Sequence, residues 1–279
     1  MKRTINGTTF GYEVHGEGTN VFFLHGIPTD RRSMVPRYEP LFSGPDAPRG
    51  FRRIYLDSPG LGESPASSAI TNMDEYAAAI ASFLEEESGG ERFALAGTSY
   101  GAYFSRAYAL SHGARLAGLA MLVPGYGPGI ETTKPAKTAV VSEAGLLDDV
   151  PEPLKTAFSN AATVHTRPVL EAIKTTVAPG GAGADHAYLR TVLATPLSYV
   201  ERLKDISLDV PVLVVTGRQD SICGYADAWP LSQQFPRATF AVLDRAGHAM
   251  QIEQNKVLLA LFREWLARVR EHLGGTYEA

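Results

Sequence analysis

Runs of consecutive apolar residues alternate along this chain with stretches whose apolar residues recur at helical spacing, and that alternation limits the fold more than any other feature. Val21-Phe22-Phe23-Leu24 is apolar at every position, the habit of a strand buried on both faces in a parallel sheet. Thr8–His15, Arg53–Asp57, Phe93–Gly97, Leu116–Val123, Val212–Thr216 and Thr239–Leu243 also read as strands. Helical faces lie between them. Asn72 and Glu75 suit a capping box, behind which Met73, Tyr76, Ala77, Ile80, Phe83 and Leu84 share a face. Ser99–His112 reads as a second helix, and Lys256–Val269 closes the chain with Leu258, Leu261, Phe262, Trp265 and Leu266 on one side. Such a βαβα order predicts an α/β fold with a mostly parallel sheet and helices on both faces.

The order breaks from about Pro124 to Asp209, where Pro, Gly and helical stretches replace strands. One helix is expected over about Asp185–Lys204, with Leu189, Val192, Leu193, Leu197 and Val200 as its apolar face. The expected organisation is a core of residues 1–124 and 210–279, with 125–209 inserted as a helical cap over the carboxyl edge of the sheet. Phe158, Tyr188, Leu193 and Tyr199 are candidate pocket walls within it, although each of them also suits the cap's own core.

The net charge of −4 in 279 residues argues against nucleic acid and against a membrane surface as partner. No apolar run reaches the length of a membrane span, and no apolar stretch follows the basic Met1-Lys2-Arg3 start to make a signal peptide. A single cysteine, Cys223, excludes an internal disulfide and multi-cysteine zinc sites. The expectation is a cytoplasmic monomer or homodimer that acts on a small molecule without metal.

Gly97-Thr98-Ser99-Tyr100-Gly101 fits G-x-S-x-G between an apolar strand and a helix. A sharp turn there needs small flanking residues and aims the serine hydroxyl over the sheet edge, at the positive end of the helix. A serine hydroxyl needs a base, and the base needs an orienting acid. His248 follows the last expected strand and Asp220 follows the one before it, so both fall at the same edge as Ser99. Asp244 is the rival acid, but it ends the strand that delivers His248. Acyl transfer also needs two amides aimed at a developing oxyanion. Tyr100, next to the serine, and Ile27, in the His25-Gly26-Ile27-Pro28 loop, are the natural donors, since Pro28 has no N–H. His25 is read as holding that loop by hydrogen bonds at the rim of the pocket. Cys223, three residues past Asp220, either lines the site or serves as a small buried hydrophobe.

These pieces, L-H-G-I-P, D-S-P-G-L-G-E-S from Asp57 to Ser64, G-T-S-Y-G, G-R-Q-D and A-G-H-A-M-Q-I-E from Ala246 to Glu253, resemble the cap-bearing members of the α/β-hydrolase superfamily. The resemblance implies an eight-stranded, mostly parallel sheet and no cofactor. It also implies a triad of Ser99, His248 and Asp220, with an oxyanion hole from the amides of Ile27 and Tyr100. Related epoxide hydrolases and haloalkane dehalogenases carry Asp where Ser99 stands. Carbon–carbon bond hydrolases often have Trp where Ala249 follows His248, and proline iminopeptidase-like members often have Trp in place of Tyr100. The implied activity is hydrolysis of a small to medium, largely apolar ester, thioester or amide. Carbon–carbon hydrolysis, aminopeptidase, lyase or cofactor-free perhydrolase chemistry, and a non-catalytic sensor, are the alternatives.

Overall fold

The structure, a computed structural model, describes residues 1–276. Its strands are β1 (Lys2–Ile5), β2 (Thr8–His15), β3 (Thr19–Leu24), β4 (Phe51–Leu56), β5 (Phe93–Thr98), β6 (Leu116–Leu122), β7 (Val141–Ser142), β8 (Val164–His165), β9 (Val212–Gly217) and β10 (Ala238–Leu243). Eight form one sheet in the order β1-β2-β4-β3-β5-β6-β9-β10, while β7 and β8 pair apart from it. The pairs β1–β2 and β2–β4 are antiparallel, and the remaining neighbours of the sheet run parallel. This is the expected α/β hydrolase fold. The polar β1 was not legible as a strand, since only Ile5 of its four residues is buried.

Adjacent apolar residues of one strand serve opposite faces of the sheet. Phe22 and Leu24 join Phe83, Phe93 and the helices Met73–Ser88 and Tyr100–His112 on one side. Val21 and Phe23 join Tyr38, Phe262 and Trp265 of the helix Asn255–His272 on the other. The Asn72 side chain accepts from the Glu75 N–H at 3.0 Å. The reciprocal arm goes elsewhere, because the Glu75 carboxylate accepts from the Thr71 N–H at 2.7 Å.

Residues 125–209 divide their packing. Leu146, Phe158, Val169, Leu170 and Ile173 form a small cluster together with Ala249. Leu189, Val192, Leu197, Leu203, Ile206 and Leu208 join the main core instead. The long helix expected over Asp185–Lys204 does not form. Its first part is a short helix, His186–Val192, capped by Asp185, and its last part is a 3-10 turn, Val200–Asp205. Pro196 between them lacks an N–H and disfavours helical backbone at Thr195. The freed amides find side-chain acceptors on core helices: Leu197 N–H donates to the Tyr103 hydroxyl at 3.2 Å, and Ser198 N–H to Asp74 at 2.9 Å.

Candidate active site

Ser99 follows β5, Asp220 follows β9, His248 follows β10, and the His25–Ile27 loop follows β3. All four therefore meet at the carboxyl edge of the sheet, where ligands bind in α/β folds. The sharp turn at Ser99 exists because its flanks are glycine. A Cβ on Gly97 would stand 2.4 Å from the Gly101 backbone, and one on Gly101 would stand 2.1 Å from the Leu24 carbonyl oxygen. Ser99 itself is held at φ 55, ψ −118, a strained conformation of the kind stored at functional sites.

The Ser99 hydroxyl lies 3.1 Å from His248 Nε2, and His248 Nδ1 lies 2.9 Å from Asp220 Oδ2. The other Asp220 oxygen accepts from the N–H groups of Ile222 at 2.8 Å and Cys223 at 3.0 Å. Burial opposes the charge of Asp220, but His248 and these two donors outweigh it and hold the carboxyl below its usual range. Burial likewise opposes the charged form of His248, yet Asp220 first and Cys223 next hold that imidazole well above the ordinary histidine value. A hydroxyl in this chain of bonds can pass its proton to Nε2 as it attacks, while Nδ1–H keeps its bond to the carboxylate. Asp244 stands apart; it is exposed and accepts from Gln219 Nε2 at 2.9 Å.

His25 lies beneath its loop. Its Nδ1–H donates to the Gly26 carbonyl at 2.8 Å and its Nε2 accepts from the Ser58 N–H at 3.0 Å. That pairing requires the neutral ring, and burial lowers its pKa in keeping. The D-S-P-G-L-G-E-S stretch supports the same loop. Buried Asp57 accepts from the N–H groups of Arg31 at 2.8 Å and Glu63 at 2.9 Å, and pairs with the Arg31 guanidinium. Among the described residues, the Ile27 and Tyr100 N–H groups have no acceptor in the turn and loop hydrogen bonds.

Ser99 and His248 form part of the wall of a cavity of about 750 Å³. Ile27, Pro28, Tyr100, Ile222 and Cys223 line it at the carboxyl edge of the sheet, and residues 125–209 contribute Tyr126, Leu154, Ala157, Ile173, Val177, Lys134 and His186. Of the expected pocket residues, only Cys223 lines it. His25 is sealed under its loop. Phe158 is fully buried in the cluster of Leu146 and Ile173, while Leu154, Ala157 and Ala161 of the same helix line the cavity. Tyr188 packs beside Gly60 and Tyr76, and Leu193 and Tyr199 pack on the main core. Helical spacing marks these residues as apolar, but both sides of the segment are covered, so spacing alone does not say which side faces ligand.

Among the described residues, one group offers ligand atoms of metal-binding type within 4.8 Å of one another: Asp220, Cys223 and His248. Its carboxylate and imidazole are already bonded to each other, so an ion there would have to displace that bond.

A family model described as the alpha/beta hydrolase family matches residues 21–261. The chain belongs to that family. It is similar to a 2-hydroxy-6-oxononadienedioate/2-hydroxy-6-oxononatrienedioate hydrolase of Paraburkholderia phymatum, with 27% identity over 220 residues, 75% of this chain and 76% of that protein. It is also similar to the proline iminopeptidase of Neisseria gonorrhoeae, with 26% identity over 83% of each chain. Among solved structures, an alpha/beta superfamily hydrolase from Oenococcus oeni PSU-1 superposes with a TM-score of 0.85 at 24% identity, over 96% of this chain and 99% of that one. No helix among the described residues is long and apolar enough to cross a membrane.

Proposed function

We propose that the protein is a serine hydrolase that cleaves a small to medium, largely apolar ester, thioester or amide through an acyl-enzyme. The observation that carries this reading is the Ser99–His248–Asp220 chain of hydrogen bonds at the wall of an apolar cavity. Ser99 Oγ attacks the carbonyl carbon and its proton moves to His248 Nε2. The oxyanion takes hydrogen bonds from the amides of Ile27 and Tyr100. Collapse expels the leaving group, which takes the proton from His248. Water then repeats the sequence, with His248 as base, to release the acid and restore Ser99. Residues 125–209 act in this reading as the cap that supplies the outer wall.

The cavity's chemistry favours this reading over that of the iminopeptidase relative. Lys134 lines the cavity, and a lysine cation there repels the α-ammonium of an aminopeptidase substrate. The same lysine favours, as a second reading, an acyl chain with an anionic end, such as the dienedioate named for the Paraburkholderia relative. The test is turnover of p-nitrophenyl esters of graded chain length, with and without a terminal carboxylate, beside aminoacyl anilides. Faster turnover of the anilides than of every ester overturns the reading.

A further inference from the structure

His248 is fixed from below by Asp220, but the residues on either side of it are tied in a different direction. The Gly247 N–H donates to Glu253 Oε2 at 2.6 Å. Glu253 Oε1 accepts from the N–H groups of Thr163 at 2.6 Å and Val164 at 2.7 Å, where the inserted segment begins β8. On the other flank, the Ala249 N–H donates to the Ala161 carbonyl at 2.8 Å. The approach is close: a Cβ on Gly247 would stand 2.7 Å from that same carbonyl oxygen. Charge-assisted bonds of this length from backbone amides to one carboxylate are among the stronger hydrogen bonds in proteins. Ala161 also ends the helix Glu152–Ala161, whose Leu154, Ala157 and Ala161 face the cavity.

We infer that Glu253 is a positioning residue for His248, joining the loop of the base to the stretch 161–164 of the cavity wall. This inference rests on the proposal that His248 is the base. Glu253 touches neither substrate nor the reacting atoms. It acts by holding Gly247, so that the wall a substrate presses on and the ring that takes the proton move as one unit. A carboxylate suits this task because each of its oxygens accepts, and one oxygen serves the wall while the other serves the loop. Glutamine has a single acceptor oxygen; its NH2 would face an N–H on one side or the other.

The test is Glu253→Gln, which keeps side-chain volume, beside Glu253→Ala. Displacing a catalytic group by about 1 Å costs on the order of 100-fold, so partial release of Gly247 should lower kcat about 10- to 100-fold per folded molecule. In Glu253→Gln, KM for a p-nitrophenyl ester should stay within about twofold, because the one acceptor oxygen still serves the two wall amides while the NH2 meets the single Gly247 N–H. A second readout needs no substrate: the downfield proton NMR signal of His248 Nδ1–H bonded to Asp220 should broaden or shift in Glu253→Gln. Unchanged kcat per folded molecule, a loss confined to KM or melting temperature, or an unchanged Nδ1–H signal overturns the inference. Failure of the underlying reading looks different, since wild-type protein would then turn over no ester while the NMR signal still reports on Glu253.

Discussion

Asp220 and Asp244 follow neighbouring strands, and only their surroundings separate them. Asp220 is fully buried and shares His248, whereas Asp244 faces solvent and Gln219. Asp220→Asn should lower kcat about 10⁴-fold through loss of tautomer control, while Asp244→Asn should change it less than about threefold. Initial rates on one ester decide between them. The pH dependence follows from the same pair. His248 must lose its proton to serve as base, and Asp220 raises its pKa well above 6.5, so activity should climb with pH through that elevated value. Asp220→Asn removes the negative charge and should move the acid limb to lower pH. Labelling of Ser99 by a small fluorophosphonate, followed against pH, measures both limbs, and Ser99→Ala should abolish the label. Ser99, Asp220 and His248 were legible because each sits within five residues of the end of a strand whose apolar run marks it. Glu253 was visible as a letter five past His248, but its partners lie 89 and 90 residues away, and local pattern carries no such distance.

Between residues and molecule stand the strand–turn–helix units, and here close backbone approach sets the limits. Gly101 lets the helix Tyr100–His112 settle against β3, and the atom that a Cβ would strike is a backbone oxygen, which cannot swing aside. Gly101→Ala should therefore destabilise the protein by about 3 kcal/mol, as overpacking of a tight contact does. Urea unfolding should show a lower midpoint at unchanged slope; a midpoint within error of wild type would mean the helix shifts freely. Strands with apolar residues at every position were readable from order alone, because burial on both faces leaves no other residue type. β1 was not, since an edge strand with polar side chains looks like any surface segment. The stretch 193–199 misled for another reason. Its apolar periodicity is genuine, and Leu197 is buried, but Pro196 overrides the helix that the period suggests.

At the scale of the whole molecule, residues 125–209 are anchored twice, and part of that stretch lines the cavity together with loops at the carboxyl edge of the sheet. One anchor is the cluster of Leu146, Phe158 and Leu170 beside Ala249; the other is the run Leu189–Leu208 on the main core. Side chains that line the cavity and belong to neither anchor, Ala157 and Ala178 among them, can be changed with the smallest effect on stability. Enlarging them, as in Ala157→Leu with Ala178→Leu, should shorten the acyl chain that the cavity accepts. Each methylene excluded from apolar surroundings forfeits about 0.8 kcal/mol, or about a fourfold loss in kcat/KM. Ester turnover should thus fall progressively with chain length, while a small fluorophosphonate, which needs only Ser99, His248 and the oxyanion amides, should label at the wild-type rate. Phe158→Ala serves as the contrast: it should lower the melting temperature and leave the ranking of esters as it was. If the enlarged wall left that ranking unchanged in folded protein, preference would reside in the loops of Ile27 and Cys223, and residues 125–209 would be a structural insertion.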